Sequence, residues 1–296
     1  MTYSIVARDP RDGTMGVATQ SQAFAVGSSV SWAIPGVGAV ATQSMGEPMY
    51  GELGLHALRA GLTATEAIRA LTTVDPHPER RQVGIVDARG EVAATTGAAC
   101  VEAAGHLVGD GVVVLANLVR SPRVWEAMLA AYETTDGRLA GRLLAALEAA
   151  EGAGGDLRGR RSAAIEVVCA EPSGRPWHDR LLDLRVDDHP EPVQELRRLV
   201  EHTRRYHATV EAFELAMDGD GEAALAALPA EVPDARSDPD LAWWRAVAEL
   251  VGGNQDEALR LAAALHEHAP DYATAARRFA PAGLLPEGVV DRLLPR

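Results

Sequence analysis

The chain contains no lysine: all 28 of its basic residues are arginine. Schiff-base chemistry, lysine-anchored pyridoxal phosphate and a phosphate-loop lysine are therefore excluded. Aromatic residues make up only 4% of the 296 residues, so a core drawn from the 47% hydrophobic fraction must rest on Ala, Val and Leu. The two cysteines, Cys100 and Cys169, form no C-x-x-C pair. They imply no disulfide framework and are expected to be small buried hydrophobes. No apolar run approaches the ~20 residues of a membrane span. Arg8, Asp9, Arg11 and Asp12 do not suit a signal-peptide core, so a cytoplasmic location is expected. The histidines are scattered without a zinc spacing, and no dinucleotide fingerprint, phosphate loop or Gly-x-Ser-x-Gly elbow occurs. No metal and no cofactor are expected. The formal net charge of −14 argues against nucleic acid and anionic membranes as partners.

What is present begins at the second residue. Met1-Thr2-Tyr3-Ser4-Ile5-Val6-Ala7 places a threonine directly after the initiator methionine and leads into a β-like run. A small second residue permits removal of the methionine, which leaves a hydroxyl and a free α-amine on one residue. A hydroxyl needs a nearby base to attack a carbonyl, and an N-terminal amine with a pKa near ~8 can be that base. Met-Thr starts also begin ordinary strands, and that reading stands beside the catalytic one.

The length allows one large domain or two ordinary ones. Strands are predicted over 3–8 and 14–20, joined by the turn Asp9-Pro10-Arg11-Asp12-Gly13. Two more are predicted near 26–33 and 37–43. Helices follow near 48–60 and after Thr63-Ala64-Thr65-Glu66, which reads as a capping box. Strands return at 82–87, 91–95 and 111–117. Ser121-Pro122 is expected to open a helix with a serine cap, and that helix pairs with one at 138–151. Strands near 162–169 and 179–186 close residues 1–189. Such segregated runs favour an α+β fold, with a four-layer αββα sandwich accommodating the order.

After Asp187-Asp188-His189-Pro190 the pattern turns helical, with a connecting helix at 190–208 and a helical domain at 209–296. Gly219 and Gly253, Ala212 and Ala246, and Ala224 and Ala258 recur at an offset of 34. This resembles the tetratricopeptide repeat, although the consensus tryptophan and tyrosine positions are off register. A dimerisation or packing role is favoured over peptide recognition, and a homo-oligomer is expected.

Three further stretches carry candidate chemistry. In Gly154-Gly155-Asp156-Leu157-Arg158-Gly159-Arg160-Arg161-Ser162, glycines permit close approach and Arg158 and Arg160 can bind carboxylate or phosphate. The alternative is a tight helix-to-strand connection with a structural Asp–Arg pair. Asn117 ends a strand, where its amide can hold an oxyanion or cap a turn. Thr19-Gln20-Ser21 and Thr42-Gln43-Ser44 are matching polar triplets that either face one cleft or pair across sheets.

Together Thr2-Tyr-Ser-Ile-Val-Ala-Arg-Asp9, Phe24-Ala-Val-Gly27, Pro35-Gly-Val-Gly-Ala-Val-Ala-Thr-Gln43, Arg81-Gln-Val-Gly-Ile-Val-Asp87, Ala104-Gly-His106 and Gly154-Gly-Asp-Leu-Arg-Gly-Arg160 resemble the bacterial family catalogued as domain of unknown function 1028. The resemblance covers residues 2 to about 195. It implies a fold of the N-terminal nucleophile hydrolases, an αββα sandwich, with Thr2 at the nucleophile position. It also implies that Arg8, Arg158 or Arg160 lowers the nucleophile's pKa where related hydrolases use lysine or arginine. Arg161, Ala103 and Ala116 depart from the family pattern, which is expected to carry glutamine, an aromatic residue and glycine there.

The resulting expectation is an amidohydrolase acting on a small amide or peptide-like metabolite. Thr2 attacks, Ser21 or Asn117 and backbone amides hold the oxyanion, and Asp156 organises the pocket. Arg8, Gln43, Arg158, Arg160 and Ser162 contact substrate. The alternative is a non-catalytic scaffold whose helical part mediates oligomerisation or partner binding.

Overall fold

The structure, a computed structural model, describes residues 2–230 and 234–294. It divides into two units, 1–200 and 201–296, each with its own core.

The first unit is α+β and contains two antiparallel sheets. One has six strands in the order β10-β9-β2-β1-β8-β7: β1 (Thr2–Arg8), β2 (Met15–Ser21), β7 (Gly105–Gly109), β8 (Val112–Asn117), β9 (Ser162–Val168) and β10 (Arg180–Val186). The other has four, β3 (Ser31–Ile34), β4 (Gly38–Ser44), β5 (Arg81–Asp87) and β6 (Val92–Thr96), in sequence order. Strand side chains alternate between faces, and the first sheet uses both. Tyr3, Ile5 and Ala7 of β1 pack with α3 (Arg123–Thr134) and α4 (Leu139–Gly152). Val6 turns the other way and joins Val17, Val113 and Leu115 against Ala39, Ala41 and Val86 of the four-stranded sheet. The outer face of that second sheet, Val40, Val83 and Ile85, packs with α1 (Met49–Arg59) and α2 (Ala64–Val74). Small Val and Ala side chains fill the inter-sheet layer, which replaces the bulk that scarce aromatics would give.

The β1–β2 turn forms with Gly13 at φ 74°, a left-handed conformation open to glycine at little cost. The capping box of α2 is complete: Glu66 N donates to Thr63 Oγ1 at 3.3 Å and Thr63 N donates to Glu66 Oε2 at 2.9 Å. Several expectations fail locally. The strand expected at 26–33 is a 3₁₀ turn, Val26–Ser28, followed by the short β3, because Ala25 turns left-handed at φ 50°. Ser121 does not cap α3; its buried hydroxyl has no partner, and Pro122 occupies the capping position. Cys100 and Cys169 are half-buried and donate to the carbonyls of Arg81 and Glu171. β7 falls in a stretch read only as the lead into β8.

The second unit is helical. After the one-turn α5 (Pro176–Asp179) that precedes β10, it takes in the end of α6 (Pro192–Met217), then α7 (Gly221–Ala227), α8 (Pro239–Val251), α9 (Gln255–His268), α10 (Pro270–Phe279) and α11 (Val289–Leu293). α6 is continuous well past residue 208, where the connecting helix was expected to stop. The turns at Gly219 and Gly253 are alike, with φ 85° and 90°. Asp220 N donates to Leu215 O and Asn254 N to Glu249 O, the closing bond of a Schellman-type helix end in each case. Ala212, Ala224, Ala246 and Ala258 are all buried. Among the described residues, no helix is long and apolar enough to cross a membrane.

Candidate functional site

Register in the six-stranded sheet places Thr2 opposite both Ser21 of β2 and Asn117 of β8, and Ser21 opposite Ser162 of β9. Residues opposite one another share a face, so Asn117, Thr2, Ser21 and Ser162 form one polar row across four strands. The row lies on the face turned to the second sheet, as the bond from Ser4 Oγ to Gln43 Oε1 (2.6 Å) shows two residues along β1. All four side chains are buried, and Thr2 is 4% exposed. Thr2 Oγ1 donates to Ser21 Oγ at 3.2 Å, and Ala23 N donates to the same oxygen at 3.0 Å.

Beneath the row lies a chain of amides. Gln43 Nε2 donates to the Thr2 carbonyl at 3.1 Å and to Gln82 Oε1 at 2.7 Å, while Asn117 Nδ2 donates to Gln82 Oε1 at 2.9 Å. Gln82 Nε2 in turn donates to Thr96 Oγ1, Gly105 O and Ala116 O, at 3.0 to 3.1 Å. Thr96 Oγ1 pairs with His106 Nδ1 at 2.8 Å, and burial pushes the His106 pKa below its usual value. A neutral His106 accepting from Thr96 at Nδ1 agrees with the N–H that Thr96 already receives. Sequence reasoning missed Ser4, Gln82 and Thr96. The available signal was polar residues at alternate positions of β1 and glutamines ending one strand and opening the next.

The segment after α4 reaches this row through Asp156. Its Oδ2 accepts from Gln22 N at 3.2 Å, just past Ser21, and Asp156 bridges to Val119, two residues past Asn117. Its Oδ1 accepts from Arg158 N at 2.8 Å, and the Arg158 guanidinium bonds both oxygens. Asp156 is thus a clamp joining the two strands that flank β1. Ser162 is a clamp as well, donating to Ala23 O at 2.6 Å and accepting from Val26 N at 3.0 Å.

These contacts revise several expected roles. One N–H of the Asn117 amide is directed to Gln82, and its Oδ1, an acceptor, has no partner. Gln43 and Ser162 use their polar atoms in hydrogen bonds within the fold. Arg8 lies at the far end of β1, about 20 Å from Thr2 at ~3.4 Å per residue, with its guanidinium against Gly13. Arg160 is on the helix side of the sheet, paired with Glu191 and with Glu151, which receives the Tyr3 hydroxyl. Arg158 remains beside the row but is tied to Asp156.

Two features mark the row's end of the sheet. Buried polar atoms without a partner include Asn117 Oδ1, Gln22 Oε1 and Ser44 Oγ, each on a residue of the row or next in sequence to a hydrogen-bonding neighbour of Thr2. Non-glycine residues with positive φ include Ser44 (77°) and Leu118 (47°), directly after Gln43 and Asn117. Unsatisfied groups and left-handed backbone are each costly, and such costs gather at functional sites. Phe24, 63% exposed, stands outside with the Arg161 guanidinium 5.6 Å from its ring centre. Among the described residues no group of three or more His, Cys, Asp or Glu is placed to hold a metal ion. Met1, whose removal would free the Thr2 amine, lies outside the described residues.

Residues 2–196 match the model of a family described as a family of unknown function (DUF1028). The crystal structure of protein SPO2555 from Silicibacter pomeroyi, assigned to the same family, is similar with a TM-score of 0.62 and 32% sequence identity; the match covers 68% of this chain and 88% of that one. No curated protein matches.

Proposed function

This chain belongs to the DUF1028 family, and from that premise we propose that it is an N-terminal nucleophile amidohydrolase of the αββα type. The observation that carries this reading is Thr2 at the head of β1, its hydroxyl bonded to Ser21 within a buried row whose neighbouring polar atoms lack partners. Loss of Met1 frees the Thr2 amine. Thr2 Oγ then attacks an amide carbonyl while the amine takes its proton through a water. The C–N bond breaks, the leaving amine receives that proton, and water hydrolyses the ester on Thr2. Ser21 orients the hydroxyl. Asn117 Oδ1 accepts from the α-amine or the substrate N–H, and backbone amides hold the oxyanion. Asp156 and Ser162 fix the loops that frame the row. The substrate is a small amide or peptide-like compound. The helical part, whose paired turns are read as tetratricopeptide-like, assembles copies of the chain.

The test is the mass of the intact N-terminus followed by an amide panel. Protein beginning at Thr2 is expected to hydrolyse a member of the panel, with Thr2→Ala lowering kcat at least ~10³-fold and Thr2→Ser retaining activity. Hydrolysis by protein that keeps Met1, or by Thr2→Ala at the parental rate, overturns the proposal. A second reading, a non-catalytic scaffold, is favoured by the burial of Thr2, whose hydroxyl is already bonded. A stable oligomer by light scattering, with an N-terminal Thr2 and no hydrolysis across the panel, would support it.

A further inference from the structure

The chain has only 5 Trp, 5 Tyr and 3 Phe. Tyr206, Phe213, Trp244, Tyr272 and Phe279 nonetheless line one cavity of about 340 Å³ within the helical unit. Their arrangement is ordered. Phe213 and Trp244 meet edge to face with ring centres 4.8 Å apart and planes at 62°, and Tyr272 and Phe279 do so at 6.4 Å and 81°. In each pair the edge of one ring meets the face of the other, so the lining rings are not coplanar. Trp244 is almost buried, whereas Tyr206 and Leu284 stand exposed at the rim.

The charged side chain in this lining is an acid. Asp240 accepts the Tyr272 hydroxyl at Oδ1, which holds that ring in place. Burial and the adjacent carboxylate push the Tyr272 pKa up, so Tyr272 stays a neutral donor. Ring faces are electrostatically negative and attract cations, most strongly where water is excluded. An anion would meet both the rings and Asp240 unfavourably.

The kind of cation follows from the acceptors on offer. A primary ammonium brings three N–H donors that need partners once it leaves water. The polar wall supplies Asp240, and Thr209 directs its hydroxyl to the Arg205 carbonyl. A cation without N–H groups leaves no donor unsatisfied and places methyl groups against the rings. The volume lies at the lower end of small-molecule sites, which run from ~300 to ~1,000 Å³.

We propose that the cavity bounded by Phe213, Trp244, Tyr272 and Asp240 binds a small quaternary ammonium compound. The site lies wholly within residues 201–296 and does not depend on chemistry at Thr2.

The experiment titrates the full chain with choline chloride and, separately, with 3,3-dimethyl-1-butanol, its uncharged isostere, using tryptophan fluorescence and calorimetry. Choline is expected to saturate with a Kd on the order of 0.1–1 mM, and the isostere to bind at least ~10-fold more weakly. Asp240→Asn keeps an acceptor for Tyr272, and should weaken choline ~10-fold while leaving the isostere unchanged. Tyr206→Leu at the exposed rim, where folding is not at risk, should weaken choline several-fold. Equal binding of choline and the isostere would reduce the site to an apolar cavity and overturn the proposal. So would the absence of saturation by choline at about 50 mM, or choline binding that neither substitution changes.

Discussion

Asn117 donates one side-chain N–H to Gln82 Oε1 at 2.9 Å, a bond that anchors the amide and leaves its Oδ1 without a partner. Gln82 Oε1 also receives Gln43 Nε2, so it is saturated with donors and fixes both neighbouring amides. Its own amide nitrogen supplies Thr96 and the carbonyls of Gly105 and Ala116. Gln82→Glu would keep the acceptor but set a carboxylate oxygen against those two carbonyls. The expected outcome is a loss of about 2–4 kcal/mol in urea unfolding, because a buried donor is replaced by an unpaired charge. Gln82→Met removes the acceptor as well, strands the Gln43 and Asn117 donors, and is expected to cost at least as much.

The parts of this architecture that are local in sequence were legible in it. Asp9 to Gly13 announced a hairpin because the turn chemistry sits inside the turn, and Thr63 with Glu66 announced a capped helix for the same reason. The polar row was not legible as a row. Asn117, Thr2, Ser21 and Ser162 become neighbours through strand register, and a shift of one residue would turn each to the opposite face. Asp156 was expected to organise a pocket, with a structural Asp–Arg pair in a tight connection as the alternative, and it does pair with Arg158. Its backbone partners across the sheet could not be read from that pattern. The orientation of the Asn117 amide was not legible either, because Gln82, the partner that orients it, lies on a strand of the other sheet. Arg8, offered because the chain has no lysine to lower the nucleophile's pKa, lies at the far end of an extended strand from Thr2.

Glu166 lies on the face of β9 turned to the second sheet, with Arg180 Nε at 3.1 Å. Burial pushes its pKa from 4.5 up to about 7, with the Arg180 charge opposing the rise. The folded chain therefore holds an extra proton between about pH 4.5 and 7, so this group's contribution to stability falls as pH rises through that window. Glu166→Gln should flatten that fall and stabilise the protein at pH 8 by about 1–3 kcal/mol. Urea midpoints at pH 5 and pH 8 provide the check, with little difference between the two proteins expected at the lower pH.

Asp75 behaves in the opposite sense. The Arg81 guanidinium, bonded at 2.7 and 3.2 Å, holds its carboxyl down from 3.8 to about 2 against the effect of burial, with the His77 amide and Tyr50 hydroxyl adding to the lowering. A depressed acid contributes stability above its unfolded pKa and loses it as pH falls through the folded one. Here that loss runs from about pH 4 to about 2. Asp75→Asn would leave Arg81 partly buried with a neutral partner, and is expected to cost about 1–3 kcal/mol at pH 7. The difference should shrink below pH 3, measured by circular dichroism during acid titration.

Gly84 determines how closely the two sheets approach. It occupies the middle of β5 on the inter-sheet face, opposite Ala41 and Ala94 in register. A Cβ built there would stand 2.5 Å from Leu115 Cδ2 and 2.8 Å from Val113 Cγ1, both on fully buried residues of β8. At an open strand position alanine would be the better residue, because glycine gives up more backbone freedom on folding. Gly84→Ala should therefore reveal packing by its sign, with a cost of about 1–3 kcal/mol from overfilling the layer. In a Leu115→Ala background the nearer of the two obstructing methyls is gone, and the same substitution should cost at least ~1 kcal/mol less, a coupling that a double-mutant cycle in urea would measure. Because β8 ends in Asn117 two residues beyond Leu115, forcing the sheets apart at Gly84 should also disturb the Asn117–Gln82 contact. Gly84→Ala is accordingly expected to lower any hydrolytic rate more than an equally destabilising substitution on α1 or α2.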